Sequence, residues 1–282
     1  IMSPLRQVAV GLRQALRRIK EQRKNAKIDP KEFQHSVDVY RVALFTQFYR
    51  TRDAEKAHKE VTEASLDERV ALISTELMSQ ATTLLRASAK PSAHSFELAV
   101  ETSSIPGAGL GVFLARGECL PGQLVMLYPG KVYNVEDLND SERYKEVISS
   151  DYTFTRHDEM ILDAAQWSKD PAVAPYALGH VLNHPPPHVL PNVLPVALDF
   201  PTTMAGSHAP YFPTEWCDER RRAQAAEANM DLPCVALVAS QHLQPRDELF
   251  LDYRFNPRLM HMWPPWYHAV DRREAGRRWG VW

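Results

Sequence analysis

The chain has 282 residues, 44% of them hydrophobic and 24% charged, a globular balance with room for one sizeable domain and appendages. No apolar run approaches the roughly 18–20 residues that a membrane-spanning helix needs, so no membrane insertion is expected. Cys119, Cys217 and Cys234 form no CxxC pair, which excludes a thiolate zinc knuckle and points to a reducing compartment.

The net charge of −2 conceals an uneven distribution. Residues 1–30 carry +6, residues 254–282 carry +4, and the stretch between them carries −12. Basic ends on an acidic body suggest termini that touch a polyanion, such as RNA, or an acidic protein face. The opening segment is Arg-rich, acid-poor and amphipathic, with Leu5, Val8, Leu12, Leu16 and Ile19 on one stripe. It resembles a mitochondrial transit sequence or its remnant, and a retained basic binding arm has the same pattern.

In chain order, two further helical periods follow. Asp29-Pro30 with Glu32 opens a helix whose stripe is Phe33, Val37, Tyr40, Leu44 and Phe48. Ser65 and Glu68 form a capping box before Leu66, Val70, Ile73, Leu77, Ala81 and Leu84. Residues 1–95 are therefore expected to be a helical N-terminal region, with a basic arm over 1–28.

Beyond Pro91 the period shortens. "FELAVE", "GVFLA", "QLVMLYPGKVY", "EMILDA", "CVALVAS" and "ELFLDYRF" are short β-rich runs between Gly, Pro and Asp turns. They predict a mainly antiparallel, loop-rich β domain over 96–255, interrupted by an insertion around 196–231 that contains the Ala-rich, charged "CDERRRAQAAEAN". The last residues, 256–282, form an aromatic and basic tail expected to pack on the body or on a partner.

"GHVLNHPPPHVLPNV" (Gly179–Val193) sets His180, His184 and His188 four apart, the spacing of metal ligands on a helix face. Pro185–Pro187 remove the amide donors and the helical backbone which that spacing would need. No metal site is expected there.

Six pieces recur in a fixed order: Gly109-Leu110-Gly111, Tyr128-Pro129-Gly130, Tyr152-Thr153-Phe154, Leu162-Asp163-Ala164, Asn183-His184…Pro191-Asn192, and Glu248-Leu249-Phe250-Leu251-Asp252-Tyr253. This series resembles the SET-domain family of protein-lysine methyltransferases. Within the family, the divergent group called SET-domain-containing protein nine has a similar layout, with a helical N-terminal segment and no zinc-binding tail.

The resemblance implies an α+β protein in which a SET-type β fold, several short antiparallel sheets with a pseudoknot, follows the helical region. It implies an S-adenosylmethionine-dependent protein-lysine N-methyltransferase that uses no metal. By the same resemblance, Gly107, Gly109, Gly111, Asn183 and His184 hold the cofactor and Tyr253 is catalytic. Tyr128, Tyr152 and Leu251 line the substrate channel.

The loop after His184 is three residues longer than the family's and carries prolines in place of Ser-Cys. The family's Cys-rich zinc segment is replaced by the aromatic tail. A second reading therefore stands beside the first: a catalytically degenerate SET-fold subunit of a larger complex, such as a mitochondrial ribonucleoprotein. The expected partners are a protein substrate or a protein complex, with RNA contact through the basic termini. The expected compartment is the mitochondrion, with nuclear or cytoplasmic residence as the alternative.

Overall fold

The computed structural model describes residues 30–88, 95–201 and 212–281. The basic arm lies outside the described residues.

Three helices come first: α1 (Pro30–Thr51), α2 (Ala54–Glu63) and α3 (Leu66–Ser88). The stripe on α1 is buried as its spacing predicts, from Phe33 through Val37, Tyr40 and Leu44 to Phe48. The capping box of α3 is formed in both directions. Ser65 N–H reaches the Glu68 carboxylate at 2.7 Å, and Glu68 N–H reaches the Ser65 hydroxyl at 3.2 Å. Helix α2 is an addition to the sequence reading. Asp53 caps it through the amides of Glu55 and Lys56, and it buries only Ala57 and Val61, one contact per turn. Two apolar positions are too few for a periodic signal.

The strands form three small sheets. β1 (Glu97–Thr102) pairs antiparallel with β2 (Leu110–Arg116). β3 (Leu124–Tyr128), β9 (Leu232–Ala239) and β7 (Val193–Phe200) form the second sheet, with β9 central and both pairings antiparallel. The third has the order β5 (Thr153–Thr155), β6 (Ile161–Asp163), β4 (Gly130–Tyr133) and β8 (Thr214–Trp216), and its β4–β8 pair is parallel. Two short helices, α4 (Ser141–Ile148) and α5 (Glu219–Glu227), decorate this third sheet, and α6 (Arg272–Arg278) lies in the C-terminal tail. The α+β architecture expected from the sequence is the one observed. No described helix is long and apolar enough to cross a membrane.

The β3–β9–β7 sheet is the heart of the core. Val125, Met126, Val235, Ala236, Leu237 and Val238 are at most 1% exposed, each large aliphatic contributing about 1.5–3 kcal/mol by burial. Two expectations are corrected. Residues 196–200, read as the start of an insertion, complete β7 and bury Val196, Leu198 and Phe200. Pro195 disguised this strand, and it is tolerated because β7 is an edge strand where a missing N–H breaks no ladder. Conversely, Glu248–Phe255 is not a ladder strand. It is an extended segment held by single bridges, Glu248 to Phe113 and Phe250 to Asn183.

That closing segment runs between β2 and the two ends of the 183–192 loop. On one side Leu114 N–H meets Asp247 O at 3.0 Å and Leu249 N–H meets Val112 O at 2.8 Å. On the other, Leu251 N–H meets Asn183 O at 2.9 Å and Asn192 N–H meets Phe250 O at 3.2 Å. Asn192 completes the clasp with its side chain, donating to Glu248 O and accepting from Phe250 N–H, both at 2.7 Å. This is the pseudoknotted crossing expected of the fold.

Candidate functional site

The crossing brings four of the sequence-predicted residues, Gly111, Asn183, His184 and Tyr253, together on two faces of residues 182–184. On the first face lies the glycine turn between β1 and β2. Gly107 and Gly109 adopt φ near +80°, the region where glycine is unstrained, and a side chain at either would point into open space. Gly111 differs. A methyl there would sit 2.3 Å from the Glu248 carboxylate and 3.2 Å from the Asn183 amide. Gly107 and Gly109 thus leave an exposed cradle, while Gly111 permits close packing beneath it.

What packs beneath is a polar knot. The Glu248 carboxylate is 6% exposed. It accepts from the Ser103 hydroxyl at 2.6 Å, from the Ser104 amide at 2.8 Å, from the Ser104 hydroxyl, and from the Asn183 side chain at 3.3 Å. Asn183 also donates to Leu110 O at 2.9 Å. Each buried acceptor is thereby satisfied, as burial of a carboxylate requires.

His184 continues the same face. Its Nδ1 accepts the Tyr253 N–H at 3.3 Å, so Nε2 carries the proton and donates to His268 O at 2.8 Å. Burial lowers its pKa, and Asp252, 3.8 Å away, opposes that shift. The ring is surrounded by Tyr253, Tyr267, His268 and Trp266 at centroid distances of 5.5, 4.5, 5.0 and 6.5 Å. The tail therefore packs on the body here, with Tyr267 buried and Trp266 59% exposed.

The second face belongs to Tyr253. Its hydroxyl donates to Leu182 O at 2.8 Å, and burial pushes its pKa up to about 12. It stays protonated at neutral pH. With its proton committed to Leu182, the phenolic oxygen turns its lone pairs away from that carbonyl.

Tyr253 lines a cleft of about 360 Å³. The other walls include His35 and Asp38 of α1, Phe154 of the edge strand β5, Pro195 of β7, and Trp279 of the tail. His35 and His157 stack face to face at 3.6 Å in its wall. Burial and the neighbouring His157 bring the His35 pKa down to about 4, so His35 is neutral at pH 7.

The remaining predicted residues lie outside this cleft's walls. Tyr128 is buried and donates to Tyr152 O at 2.8 Å, its pKa raised mainly by burial. The Tyr152 hydroxyl accepts from the exposed Lys169, whose ammonium is 4.2 Å from the ring centroid. His180 lies edge-on to Tyr152 at 6.0 Å, and burial followed by the Lys169 charge lowers its pKa to about 4. Leu251 is 4% exposed within the hydrophobic core, and the cleft expected beside it is lined by Tyr253 instead.

Sequence reasoning missed the Leu182 carbonyl, because a backbone oxygen has no side-chain signature. It also missed Asp38 and Arg254, whose guanidinium meets the Asp38 carboxylate at 2.6 and 2.9 Å. An acid inside the apolar stripe of α1 was the available signal.

No family model matches the chain. Two curated proteins do, both called SET domain-containing protein 9. Those of Pongo abelii and Homo sapiens are each 26% identical over 180 residues, which is 56% of this chain. The match takes in 63% and 58% of those proteins respectively, so the chain spans about three fifths of the relatives' length. Among solved structures, an active polycomb repressive complex 2 in the basal state is 18% identical over 56% of this chain and 15% of that one, with a TM-score of 0.34. A polycomb repressive complex 2 in an autoinhibited conformation bound to S-adenosylmethionine gives 18% identity over 57% and 15%, with a TM-score of 0.33.

Proposed function

Starting from the chain's membership, as a divergent member, of the SET-domain family, we propose that it is an S-adenosylmethionine-dependent protein-lysine N-methyltransferase with Tyr253 as its catalytic residue. One juxtaposition carries the reading. The Tyr253 hydroxyl and the Leu182 carbonyl lie 2.8 Å apart, with the cleft on one side and the Asn183-His184 pair and glycine turn on the other.

The first face fits the cofactor in several respects. The open turn at Gly107 and Gly109 admits a ligand to the backbone. The exposed face of Trp266, packed on the buried His184 ring, suits a purine ring. When bound, S-adenosylmethionine supplies an electrophilic sulfonium methyl.

The chain's own groups would do the rest. A lysine ammonium has a pKa of about 10.4 and must lose its proton before it can attack, which burial in the cleft favours. Two oxygens, Tyr253 Oη and Leu182 O, would face the partial positive charge of the transferring methyl and of the amine. Fixed dipoles of this kind lower a barrier without reorganising during the reaction. Protein lysines are the substrate in this reading, reached through the cleft beside the edge strand β5.

A second reading is favoured by one observation. The Asn183 side chain already spends its donors on Leu110 and Glu248, leaving it less to offer a cofactor. Here the chain is a degenerate subunit of a complex. In that reading the basic arm serves RNA contact or mitochondrial delivery.

Calorimetry and thermal melting with S-adenosylmethionine separate the two. The enzyme reading expects binding heat and stabilisation that rises with ligand. It also expects Tyr253→Phe to lower turnover on a lysine-centred degenerate peptide pool by about 100-fold or more, while removing only one hydrogen bond of about 1 kcal/mol from the fold. No heat and no stabilisation at millimolar cofactor would overturn it.

A further inference from the structure

We infer that Asp38 of α1 is a positioning residue for Tyr253, acting through Arg254, so that the helical N-terminal region is part of the catalytic site. The consequence for turnover rests on the methyltransferase reading, whereas the positioning rests on geometry alone.

Tyr253 is followed by a residue in an unfavourable conformation. Arg254 has φ +57°, the left-handed region that residues with a side chain seldom occupy. Such a conformation persists only where its surroundings over-determine it. Three contacts do so here. The Arg254 N–H is held by Asp252 Oδ1 at 3.0 Å, and its carbonyl accepts from the Trp279 indole at 3.1 Å. Its guanidinium is gripped by both oxygens of Asp38, at 2.6 and 2.9 Å. Forked pairing of this kind fixes direction as well as distance.

Asp38 is itself fixed. It is 4% exposed and accepts from Gln34 at 3.0 Å. Gln34 in turn accepts from Arg278 of α6 at 2.9 Å, and Arg41 pairs with Glu274 of the same helix at 3.1 Å. Helix and tail thus close on the residues immediately after Tyr253. The residues before it are pinned by the Leu251–Asn183 bond.

The tyrosine hydroxyl stands at the far end of a long side chain, so a modest turn of its backbone displaces Oη by an ångström or more. Errors of that size at a reacting centre cost about 100-fold in rate. Without Asp38, nothing on α1 holds the left-handed turn, and the contact of Oη with Leu182 loosens.

The experiment uses the full chain carrying 3-fluorotyrosine at position 253, read by fluorine NMR, with kcat and KM measured for S-adenosylmethionine and a lysine-centred peptide pool. Asp38→Asn is expected to lower kcat by about 10- to 100-fold, to leave the cofactor KM within about twofold, and to shift or broaden the 253 resonance. Asp38→Glu restores both readouts in part. Arg41→Met, which breaks the helix–tail pair to Glu274 and a longer 3.8 Å contact with Asp38 but leaves the forked grip on Arg254, changes neither.

Wild-type kcat and resonance in Asp38→Asn would overturn the inference, as would Arg41→Met matching it. If Asp38→Asn fails to fold, the double variant Asp38→Leu/Arg254→Met removes both charges together, which buried pairs tolerate better than loss of one. It must then show the shifted resonance, and an unshifted one overturns the inference. Should the wild type neither bind S-adenosylmethionine nor turn over, the methyltransferase reading falls, and the resonance alone decides the positioning.

Discussion

The β3–β9–β7 sheet and the closing segment 247–255 lie side by side and are held by different means. The sheet combines a backbone ladder, broken only by a register shift between Leu124 and Met126, with aliphatic burial, so many small contributions share the load. The closing segment has single bridges and depends on a few side chains: Asn192, Glu248, Asp38 and Asp252. A region of the first kind loses stability by degrees. In the second kind, one substitution can misplace a functional group while the core survives.

The sharpest way to break this contrast is to injure each region in turn. Met126→Ala removes a side chain with no exposed surface and should cost about 2–5 kcal/mol in urea denaturation, with the glycine-turn and cleft residues of the folded fraction unaltered. Asn192→Ala leaves the Phe250 amide and the Glu248 carbonyl without partners, at about 2–3 kcal/mol. In hydrogen exchange it should also strip the Phe250 amide of protection beyond what the fall in global stability explains. Equal loss at the Met126 and Phe250 amides would erase the distinction.

Acid sharpens the comparison from another side. His35 and His180, both brought down to about 4 chiefly by burial, flank the cleft and Tyr152 rather than the sheet. A depressed folded pKa means the unfolded chain binds more protons. Their contribution is therefore complete above the unfolded value of about 6.5 and is lost as pH falls towards 4. Melting temperature should drop across that window, and His35→Asn should flatten part of the slope. An unchanged slope in the variant would show that the stacked pair with His157 carries none of it.

The smallest effect is expected at the surface of the β1–β2 hairpin. The Glu97–Arg116 pair, 43% and 52% exposed, stands in solvent that screens it, and Glu97→Gln should leave the midpoint of low-salt denaturation nearly unchanged. A larger loss would mean that the hairpin, too, leans on individual side chains.

Legibility in the sequence followed the same division. Helices α1 and α3 were readable because their stripes and the Ser65–Glu68 box are local, and most strands were readable from short β-rich runs between turns. Strand β7 was hidden by Pro195, and α2 by having only two buried positions. The closing segment looked like a strand because its run of β-favouring residues is genuinely extended, yet Asn192, Ser103 and Asp38, the single residues that hold it, lie 56–216 positions away.

By itself, then, the sequence determined the fold class, the order of the motifs and the identity of Tyr253, Asn183 and His184 as the residues to follow. Periodicity, caps and turn chemistry are written within a few neighbouring residues. Only the tertiary structure decided that Tyr253 meets the Leu182 carbonyl, that the Glu248 carboxylate is consumed beneath the glycine turn, and that Asp38 holds Arg254. Each of these pairs residues 71–216 positions apart. A buried charge or orphan carbonyl finds its partner only when the chain has closed around it.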